Sequence, residues 1–212
     1  MDQPGGIAAF DFDGTLTRAD TFLGFLRLVA GPRAVAGAMV AASPHIRLAR
    51  RDPAWRDLAK AFLIRRLLGG LDADEVARAG RRYAPVAAGQ VTAAMSRLVH
   101  WHRQAGHRLV VVSASLEVYL LPAAPLIGVD HVIATRLAVD GSGRLTGEIE
   151  GGNCRGPEKA VRLGAWMAAA GVDPDAVPMW AYGDSRGDDH MLALARTATR
   201  VRRGRPPAGV PG

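Results

Sequence analysis

The sequence predicts an α/β protein: a doubly wound parallel sheet, with helices on both faces, that is interrupted by a helical insertion. Three observations support this fold class. From residue 86 onward, short apolar runs alternate with helical periodicities, as in parallel sheets with crossover helices. Residues 19–84 show helical periodicity alone. Several predicted strands end in acidic or small polar residues, which is typical of a site at the carboxyl ends of parallel strands.

Each predicted core strand is a short apolar run bounded by Gly, Pro, Ser or Asp. The core strands are expected at 7–12, 108–112, 131–134 and 178–182, with an edge strand at 197–201. A β-hairpin is expected between 137–139 and 145–149, because the intervening Asp140-Gly141-Ser142-Gly143 is rich in turn residues.

The helices follow from periodicity and from their start and stop residues. In the insertion, Phe22, Phe25, Leu26 and Val29 fall on one helical face. The helical pattern is expected to end near Ala84, and the next helices are expected at 91–103 and 116–127. Gly156-Pro157 predicts a helix with proline at its first position, and a further helix is expected from about Asp188.

The composition bounds the class of protein. The 212 residues are 49% hydrophobic and 22% charged, which excludes a largely disordered or collagen-like chain. Cys154 is the single cysteine, so an internal disulfide is excluded and a reducing compartment is favoured. No uncharged apolar run reaches the ~18 residues of a membrane-spanning helix, and Asp2 stands where a signal peptide would be basic. We therefore expect a cytoplasmic protein.

The charge is distributed unevenly along the chain. The net charge is +7, and segment 22–66 alone carries nine basic and two acidic residues. The tail 196–212 holds five arginines and no acid, and only two of the 27 basic residues are lysine. A basic segment and tail on a mildly acidic body suit a phosphate-bearing substrate, an anionic membrane surface or nucleic acid. A solvated, arginine-rich surface explains the same pattern equally well.

Several chemically competent residues are expected at one edge of the sheet. Asp11 and Asp13 follow the first strand, and Asp184 follows the fourth core strand. Carboxylates held together repel one another unless a hard cation joins them, and Mg²⁺ prefers such oxygen ligands. Lys159 lies in the first turn of a helix, whose amino end attracts anions, and Ser113 supplies a hydroxyl at a strand end. Together these groups predict a phosphoryl-transfer site.

These residues resemble the motifs of the haloacid dehalogenase superfamily, subfamily IB, the branch of phosphoserine-phosphatase-like hydrolases. The motifs are Asp11-Phe12-Asp13-Gly14-Thr15, the strand that ends at Ser113, Lys159 in its helix, and Gly183-Asp184-Ser185-Arg186-Gly187-Asp188. The resemblance covers residues 7–195. It implies a Rossmann-like core from residues 1–18 and 86–204 and a helical cap from 19–85. Residues 205–212, rich in Pro and Gly, are expected to be a disordered tail.

The resemblance also implies roles for the carboxylates and a cofactor. Asp11 would be the nucleophile that forms an aspartyl phosphate, and Asp13 would be the general acid and base. Mg²⁺ would be held by the Asp11 carboxylate, the Asp13 backbone carbonyl and Asp184. The phosphoryl group would be bound by Ser113, the Ala114 amide and Lys159. Asp188 would orient Lys159 or the water around the metal.

The implied reaction is Mg²⁺-dependent hydrolysis of a phosphomonoester. The second motif acid, Asp13, is typical of phosphatases and phosphomutases and absent from dehalogenases. The expected substrate is a small phosphorylated metabolite similar to phosphoserine; a lipid phosphate of the phosphatidylglycerophosphate type and, less favoured, a phosphomutase reaction stay open. Gly187 and Ala114 depart from the usual Asn and Gly of phosphoserine phosphatases, which puts the substrate in doubt.

The apolar face, the basic segment and the carboxylate cluster also bear on which larger partners the protein could bind. The apolar face 22–29 and the basic segment would suit peripheral contact with an anionic membrane, although burial of that face against neighbouring helices is the simpler explanation. No nucleic acid is expected, because a carboxylate cluster repels phosphate unless a metal intervenes.

Other residues have two interpretations. Asp20 is expected either to contact a substrate amino group or to cap the following helix. Arg66, or its neighbour Arg65, could reach a substrate anion from the cap or lie on a solvated helix face. Asp189 is interpreted as a helix-start acid and Cys154 as structural. His100 and His102, two apart on a helix, face different sides and make a poor metal pair.

Overall fold

A six-stranded sheet forms the centre of the protein. The computed structural model describes residues 5–48, 52, 54–173 and 176–209. The strands are β1 (Ile7–Phe10), β2 (Arg108–Leu116), β3 (His131–Val139), β4 (Leu145–Glu150), β5 (Met179–Gly183) and β6 (Thr197–Arg200). Their spatial order is β4-β3-β2-β1-β5-β6. The pairs along β3-β2-β1-β5-β6 are parallel, whereas β3 and β4 are antiparallel. The predicted α/β fold class, hairpin and edge strand are confirmed.

In the described part of the chain, the helices lie between these strands in sequence. They are α1 (Phe22–Ala30), α2 (Pro32–Ala41), α3 (Ser43–Leu48), α4 (Ala54–Leu68), α5 (Ala73–Ala88), α6 (Ala93–Gln104), α7 (Glu117–Ile127), α8 (Pro157–Ala169) and α9 (Asp189–Leu192). Helices α1 to α6 all fall between β1 and β2, so the first crossover carries the predicted helical insertion. Pro157 begins α8, as its sequence predicts.

Strand β2 shows why helices cover both faces of the sheet. Val110 and Val112 are buried in one hydrophobic cluster, with residues of α8 and α9. Leu109 and Val111 are buried in a second cluster, with residues of the insertion, α6 and α7. Because successive side chains of a strand point to opposite faces, a strand that is apolar throughout must be covered on both. The result is the predicted doubly wound arrangement.

Strand β3 corrects one prediction. The sequence predicts separate strands at 131–134 and 137–139, but β3 is continuous from His131 to Val139. It pairs in parallel with β2 up to Thr135 and in antiparallel fashion with β4 from Arg136 onward. The strand is not interrupted because each half has its own hydrogen-bonding partner.

The insertion buries the apolar face of its first helix. Phe22, Phe25 and Leu26 of α1 are at most 8% exposed, so this face packs inside the protein. Helix α5 continues through Pro85 to Ala88, which corrects the expected end near Ala84; burial of Ala84 and Ala87 holds its last turn. The predicted boundary between cap and core, 85/86, therefore falls inside a helix, and the division into domains stays a prediction.

Two further predictions concern membrane-spanning helices and the C-terminal tail. Among the described residues, no helix combines the length and the apolar character that crossing a bilayer demands. Residues 205–209 form neither helix nor strand, and 210–212 lie outside the described residues, so the disorder expected for 205–212 stays a prediction.

Candidate active site

The carboxyl ends of β1, β2 and β5 bring the predicted motif residues together. Asp11 directly follows β1, and its amide donates a hydrogen bond to the Tyr182 carbonyl of β5 (2.9 Å). Asp184 directly follows β5. Gly14 turns the chain after β1 with a φ of 87°, a conformation that favours glycine. Its missing side chain leaves room for the Asp184 carboxylate, which a Cβ atom on residue 14 would overlap.

Lys159 lies between two carboxylates. Its Nζ atom donates to Oδ1 of Asp11 (2.6 Å) and to Oδ1 of Asp188 (2.6 Å), and it is 1% exposed. Burial alone would lower the pKa of Lys159, but the charges of Asp11 and Asp188 outweigh burial and raise it above its ordinary value. The lysine is therefore a fixed cation beside the predicted nucleophile.

The two carboxylates respond differently to this environment. Burial raises the pKa of Asp11 to about 6, and the charge of Lys159 offsets part of that effect. Burial would also raise the pKa of Asp188, but Lys159 and hydrogen bonds from Ser185 hold it below its ordinary value. Oδ2 of Asp188 accepts from the amides of Asp184 (3.2 Å) and Ser185 (2.9 Å). Asp188 thus fixes both the lysine and the loop that carries Asp184.

Three carboxylates at this edge could hold a metal ion. Asp11, Asp184 and Asp188 each offer an oxygen, and these oxygens lie within 4.8 Å of one another. Burial and the neighbouring Asp188 charge raise the pKa of Asp184, as expected for carboxylates that share a site. A purely oxygen donor set suits a hard divalent cation, so the residues present fit the predicted magnesium.

Asp13 lies in a separate hydrogen-bonding environment. Its Oδ1 accepts from the amide (2.9 Å) and the hydroxyl (2.8 Å) of Thr21, and its Oδ2 accepts from the Ser115 hydroxyl. Burial, followed by the charge of Asp20, raises the pKa of Asp13 to about 7. A carboxyl group with this pKa can both donate and accept a proton near neutral pH, which is what the predicted general acid and base requires.

The predicted phosphate-binding residues line one pocket with these carboxylates. Its volume is about 420 Å³, and Ser113, Ala114 and Lys159 are in its wall. Ser113 is buried, and its Oγ accepts from the Ser115 amide (3.1 Å). The pairing of β2 with β3 shifts register between Ser113 and Leu116. The sequence predicts that this strand ends at Ser113, but β2 continues to Leu116, and the bulge-like irregularity lies where the phosphoryl group is predicted to bind.

The insertion lines one side of the pocket and contributes a second lysine. Lys60 of α4 donates to the Ala114 carbonyl, to Oδ1 of Asn153 (2.6 Å) and to the Thr135 hydroxyl (3.1 Å). Burial lowers the pKa of Lys60 to about 8, with a small opposing effect of Asp57. Its direct hydrogen-bond partners among the described residues are neutral. Lys60 is therefore a partly buried cation that lines a pocket suited to an anion.

Asp20 and Arg66, the two residues predicted to contact the substrate from the helical insertion, differ in their position relative to the pocket. Asp20 lines the pocket, and its Oδ1 accepts from the Leu23 amide (3.2 Å), so it both borders the pocket and caps α1. Arg66 is exposed and is not among the lining residues, while Arg65 pairs with Glu148 on β4. The basic residues of α4 that line the pocket are Arg56 and Lys60.

The remaining predictions concern residues outside the pocket. Asp189 is the first residue of α9 and pairs with Arg200. Burial raises the pKa of the Cys154 thiol to about 11, which agrees with a structural role. His100 is exposed and His102 is buried, so the two side chains have different surroundings, as their spacing predicts.

Sequence reasoning missed the residues that support the site. These are Thr21, Lys60, Ser115, Thr135 and Asn153. Lysine usage was the one available signal for Lys60: the chain has two lysines, and both line the pocket. Arginine fills the other basic positions, including Arg56 and Arg155 in the same pocket, so the two lysines are departures from the usage of this chain.

The fold and the site define a class of protein. The family model for haloacid dehalogenase-like hydrolases matches residues 8–193, and the chain belongs to this family. Protein CicA of Caulobacter vibrioides is 36% identical over 203 residues, which cover 94% of this chain and 88% of that protein. A Mycobacterium tuberculosis protein named as a probable phosphatase is 35% identical over 111 residues, 52% of this chain and 37% of that protein.

Solved structures share the fold. A crystal structure of a protein with unknown function from Bordetella pertussis Tohama I has a TM-score of 0.77 and 27% identity, and the match covers 91% of this chain and 87% of that one. A phospho-aspartyl intermediate analogue of phosphoserine phosphatase has a TM-score of 0.61 and 21% identity, with 92% and 84% covered.

Proposed function

We propose that this phosphatase hydrolyses a small phosphomonoester through a phosphorylated Asp11, with Mg²⁺ as its cofactor. The observation that carries the proposal is the buried contact between Lys159 and Asp11 beside Asp184 and Asp188. A carboxylate, a fixed cation and further carboxylates that suit a hard cation are the parts that phosphoryl transfer needs. The name of the mycobacterial relative and the phospho-aspartyl phosphoserine phosphatase structure support the same chemistry.

Each residue has a defined task in this proposal. A carboxylate oxygen of Asp11 attacks phosphorus, the ester P–O bond breaks, and the departing oxygen takes the proton of Asp13. Asp13, now ionised, then removes a proton from water, and that water attacks phosphorus to release phosphate and regenerate Asp11. Lys159, Ser113 and the Ala114 amide hold the phosphoryl oxygens throughout.

Mg²⁺ would be held by the Asp11 carboxylate, the Asp13 backbone carbonyl and Asp184. When bound, it supplies positive charge that offsets the negative charge of the phosphoryl group. Asp188 is engaged with Lys159 and Ser185, so we assign it to positioning these groups rather than to direct contact with the cation.

The substrate we propose is a small phosphorylated metabolite of the phosphoserine type. The pocket volume of about 420 Å³ suits a small molecule. Burial of Phe22, Phe25 and Leu26 removes the apolar face that would favour a lipid phosphate. Phosphatidylglycerophosphate is therefore the second candidate, and a phosphomutase reaction the third.

The experiment measures phosphate release from O-phosphoserine, a short-chain phosphatidylglycerophosphate and an aryl phosphate, with Mg²⁺ and with EDTA. Asp11→Asn is the blank. We expect release from at least one substrate that disappears both in EDTA and in the variant. Release that persists in Asp11→Asn would contradict the assigned nucleophile, and release that persists in EDTA would contradict the metal. Cleavage of the aryl phosphate alone would overturn the substrate class but keep the chemistry.

A further inference from the structure

We propose that the loop after β6 forms a second anion site, which binds the phosphate group of a ligand next to the catalytic pocket. The site is a cavity of about 660 Å³, called here the arginine groove. It is lined by Arg18, Asp184, Val201, Arg202, Arg203 and Arg205. Asp184 also lines the catalytic pocket, so the two cavities are neighbours.

The loop that carries the arginine groove is fixed by the core. The Val201 amide donates to the Gly183 carbonyl (2.8 Å), and the Gly204 amide donates to the Gly14 carbonyl (3.0 Å). The Thr92 hydroxyl donates to the Gly204 carbonyl (2.5 Å). Gly204 has a φ of 67°, and a Cβ atom there would overlap the Thr92 side chain. The backbone is thus held in one conformation between the ends of β1 and β5.

Among the residues that the structure describes, Asp184 is the one carboxylate that lines the groove with these arginines. Within the described part of the chain, the side chains of Arg18, Arg202, Arg203 and Arg205 make no ion pair, although the nearby Arg200 pairs with Asp189. Four guanidinium groups against one carboxylate leave a net positive cavity. Because a guanidinium matches phosphate oxygens with parallel N–H donors, an oxyanion of this type is the ligand that the groove fits.

A second cavity of similar size and similar arginine content lies elsewhere on the protein. A cavity of about 670 Å³ beside α5 is also lined by three arginines, Arg78, Arg81 and Arg82. It contains Glu75, whose carboxylate lies 3.9 Å from the guanidinium of Arg78. This cavity is formed on a helix surface and has an ion pair of its own, so it provides the matched control.

The test compares three proteins in EDTA by isothermal titration with pyrophosphate. They are the wild type, Arg202→Gln/Arg203→Gln/Arg205→Gln, and Arg78→Gln/Arg81→Gln/Arg82→Gln, which loses the same charge elsewhere. We expect the groove variant to bind one equivalent fewer per chain and the control to match the wild type. Binding in the catalytic pocket is common to all three, so the stoichiometry isolates the groove.

A second variant guards against misfolding of the loop. Arg18→Gln changes the groove from the segment after β1 and leaves residues 201–205 intact. We expect it to weaken the groove equivalent by at least about tenfold, with an unchanged circular dichroism spectrum and melting temperature.

A vesicle-binding experiment decides whether the phosphate group that the groove binds belongs to a lipid headgroup or to a soluble ligand. Sedimentation with phosphatidylglycerol vesicles, against phosphatidylcholine vesicles, tests a lipid headgroup, and the titration tests a soluble ligand. Loss of either binding in the groove variants but not in the control supports the site and names its source. If groove variants and control match the wild type in both arms, the proposal is overturned.

Discussion

Gly14 lies directly against the carboxylate of Asp184, with no space between them for a Cβ atom. Its φ of 87° is also one that L side chains rarely adopt. Glycine is therefore required at position 14 for two reasons: its own backbone conformation, and the space it leaves for a carboxylate that follows a different strand. Through this contact the ends of β1 and β5 form one site.

Replacing Gly14 by Ala should displace Asp184. We expect kcat/KM to fall at least about 100-fold, because a shift of about 1 Å in a catalytic group has an effect of that size. The free energy of unfolding should fall by about 1–2 kcal/mol from the positive φ. Steady-state phosphate release and urea denaturation measure the two effects.

Gly31→Ala is the matched control for that experiment. Gly31 has a φ of 84°, but an added Cβ atom would have no neighbour within 4 Å. Because Gly31 has a ψ of 154°, a region that is essentially restricted to glycine, the variant should lose at least as much stability and still retain full activity. Equal losses of activity in the two variants would show that backbone strain, not the contact with Asp184, limits the reaction.

Removing Lys159 should destabilise the protein more than removing the charge of Asp11, the proposed nucleophile. Lys159→Met leaves the carboxylates of Asp11 and Asp188 buried without a cation, and breaking such a pair costs about 3–5 kcal/mol. Asp11→Asn leaves Lys159 paired with Asp188, so its loss should be smaller. Urea denaturation in EDTA separates the two variants, and a larger loss in Asp11→Asn would contradict this account of the cluster.

The convergence of the carboxylates could be predicted, because their positions directly after strands place them at one edge of the sheet. Asp11 and Asp184 each follow a short apolar strand, and the parallel arrangement places those strand ends at one edge. Their meeting depends on strand order and direction, which the alternation of strands and helices already indicates. The fold class could be predicted for the same reason.

The cap side of the pocket could not be predicted in this way. Periodicity shows which residues of α4 share a face, but not how that helix is oriented against the core. Arg66 lies six residues after Lys60, about 120° away around the helix axis at 100° per residue. Only the docking of α4 on Asn153 and Thr135, which are far away in sequence, selects Lys60.

Asp20→Asn should lower the pKa of Asp13. The charge of Asp20 is the second cause, after burial, of the raised pKa of Asp13, and Asn can still cap α1. In its proposed role as general acid, Asp13 must be protonated, so activity that depends on it should be lost as pH rises through about 7. In the variant this loss should occur at lower pH, in a profile of kcat/KM for an alkyl phosphate.

An aryl phosphate provides the internal control for the effect of Asp20. Its leaving group departs without protonation, so its profile should respond little to the pKa of Asp13. A shift of equal size for both substrates would mean that Asp20 acts on something other than the general acid.

Lys60 joins α4 to the floor of the pocket through neutral acceptors, and its charge should assist binding of an anion. We expect Lys60→Met to raise KM for a phosphomonoester about tenfold, since a charge-assisted interaction contributes about 1.5–3 kcal/mol. Arg66→Met, on the same helix but outside the pocket, should leave KM unchanged. Equal effects of the two substitutions would indicate a general effect of charge on the helix.

The partly buried ammonium of Lys60 should also make stability depend on pH in a defined direction. Its pKa is lowered by burial from 10.5 to about 8. Between these values the unfolded chain binds more protons than the folded chain, so this group makes the protein more stable as pH rises through that interval.

The variant Lys60→Met lacks this ammonium group. The free energy of unfolding of the wild type should therefore increase relative to that of Lys60→Met from pH 8 to pH 10. Urea denaturation of both proteins at several pH values in EDTA measures the difference; if it is constant, the ammonium is solvated rather than buried, and its role in binding an anion loses its physical basis.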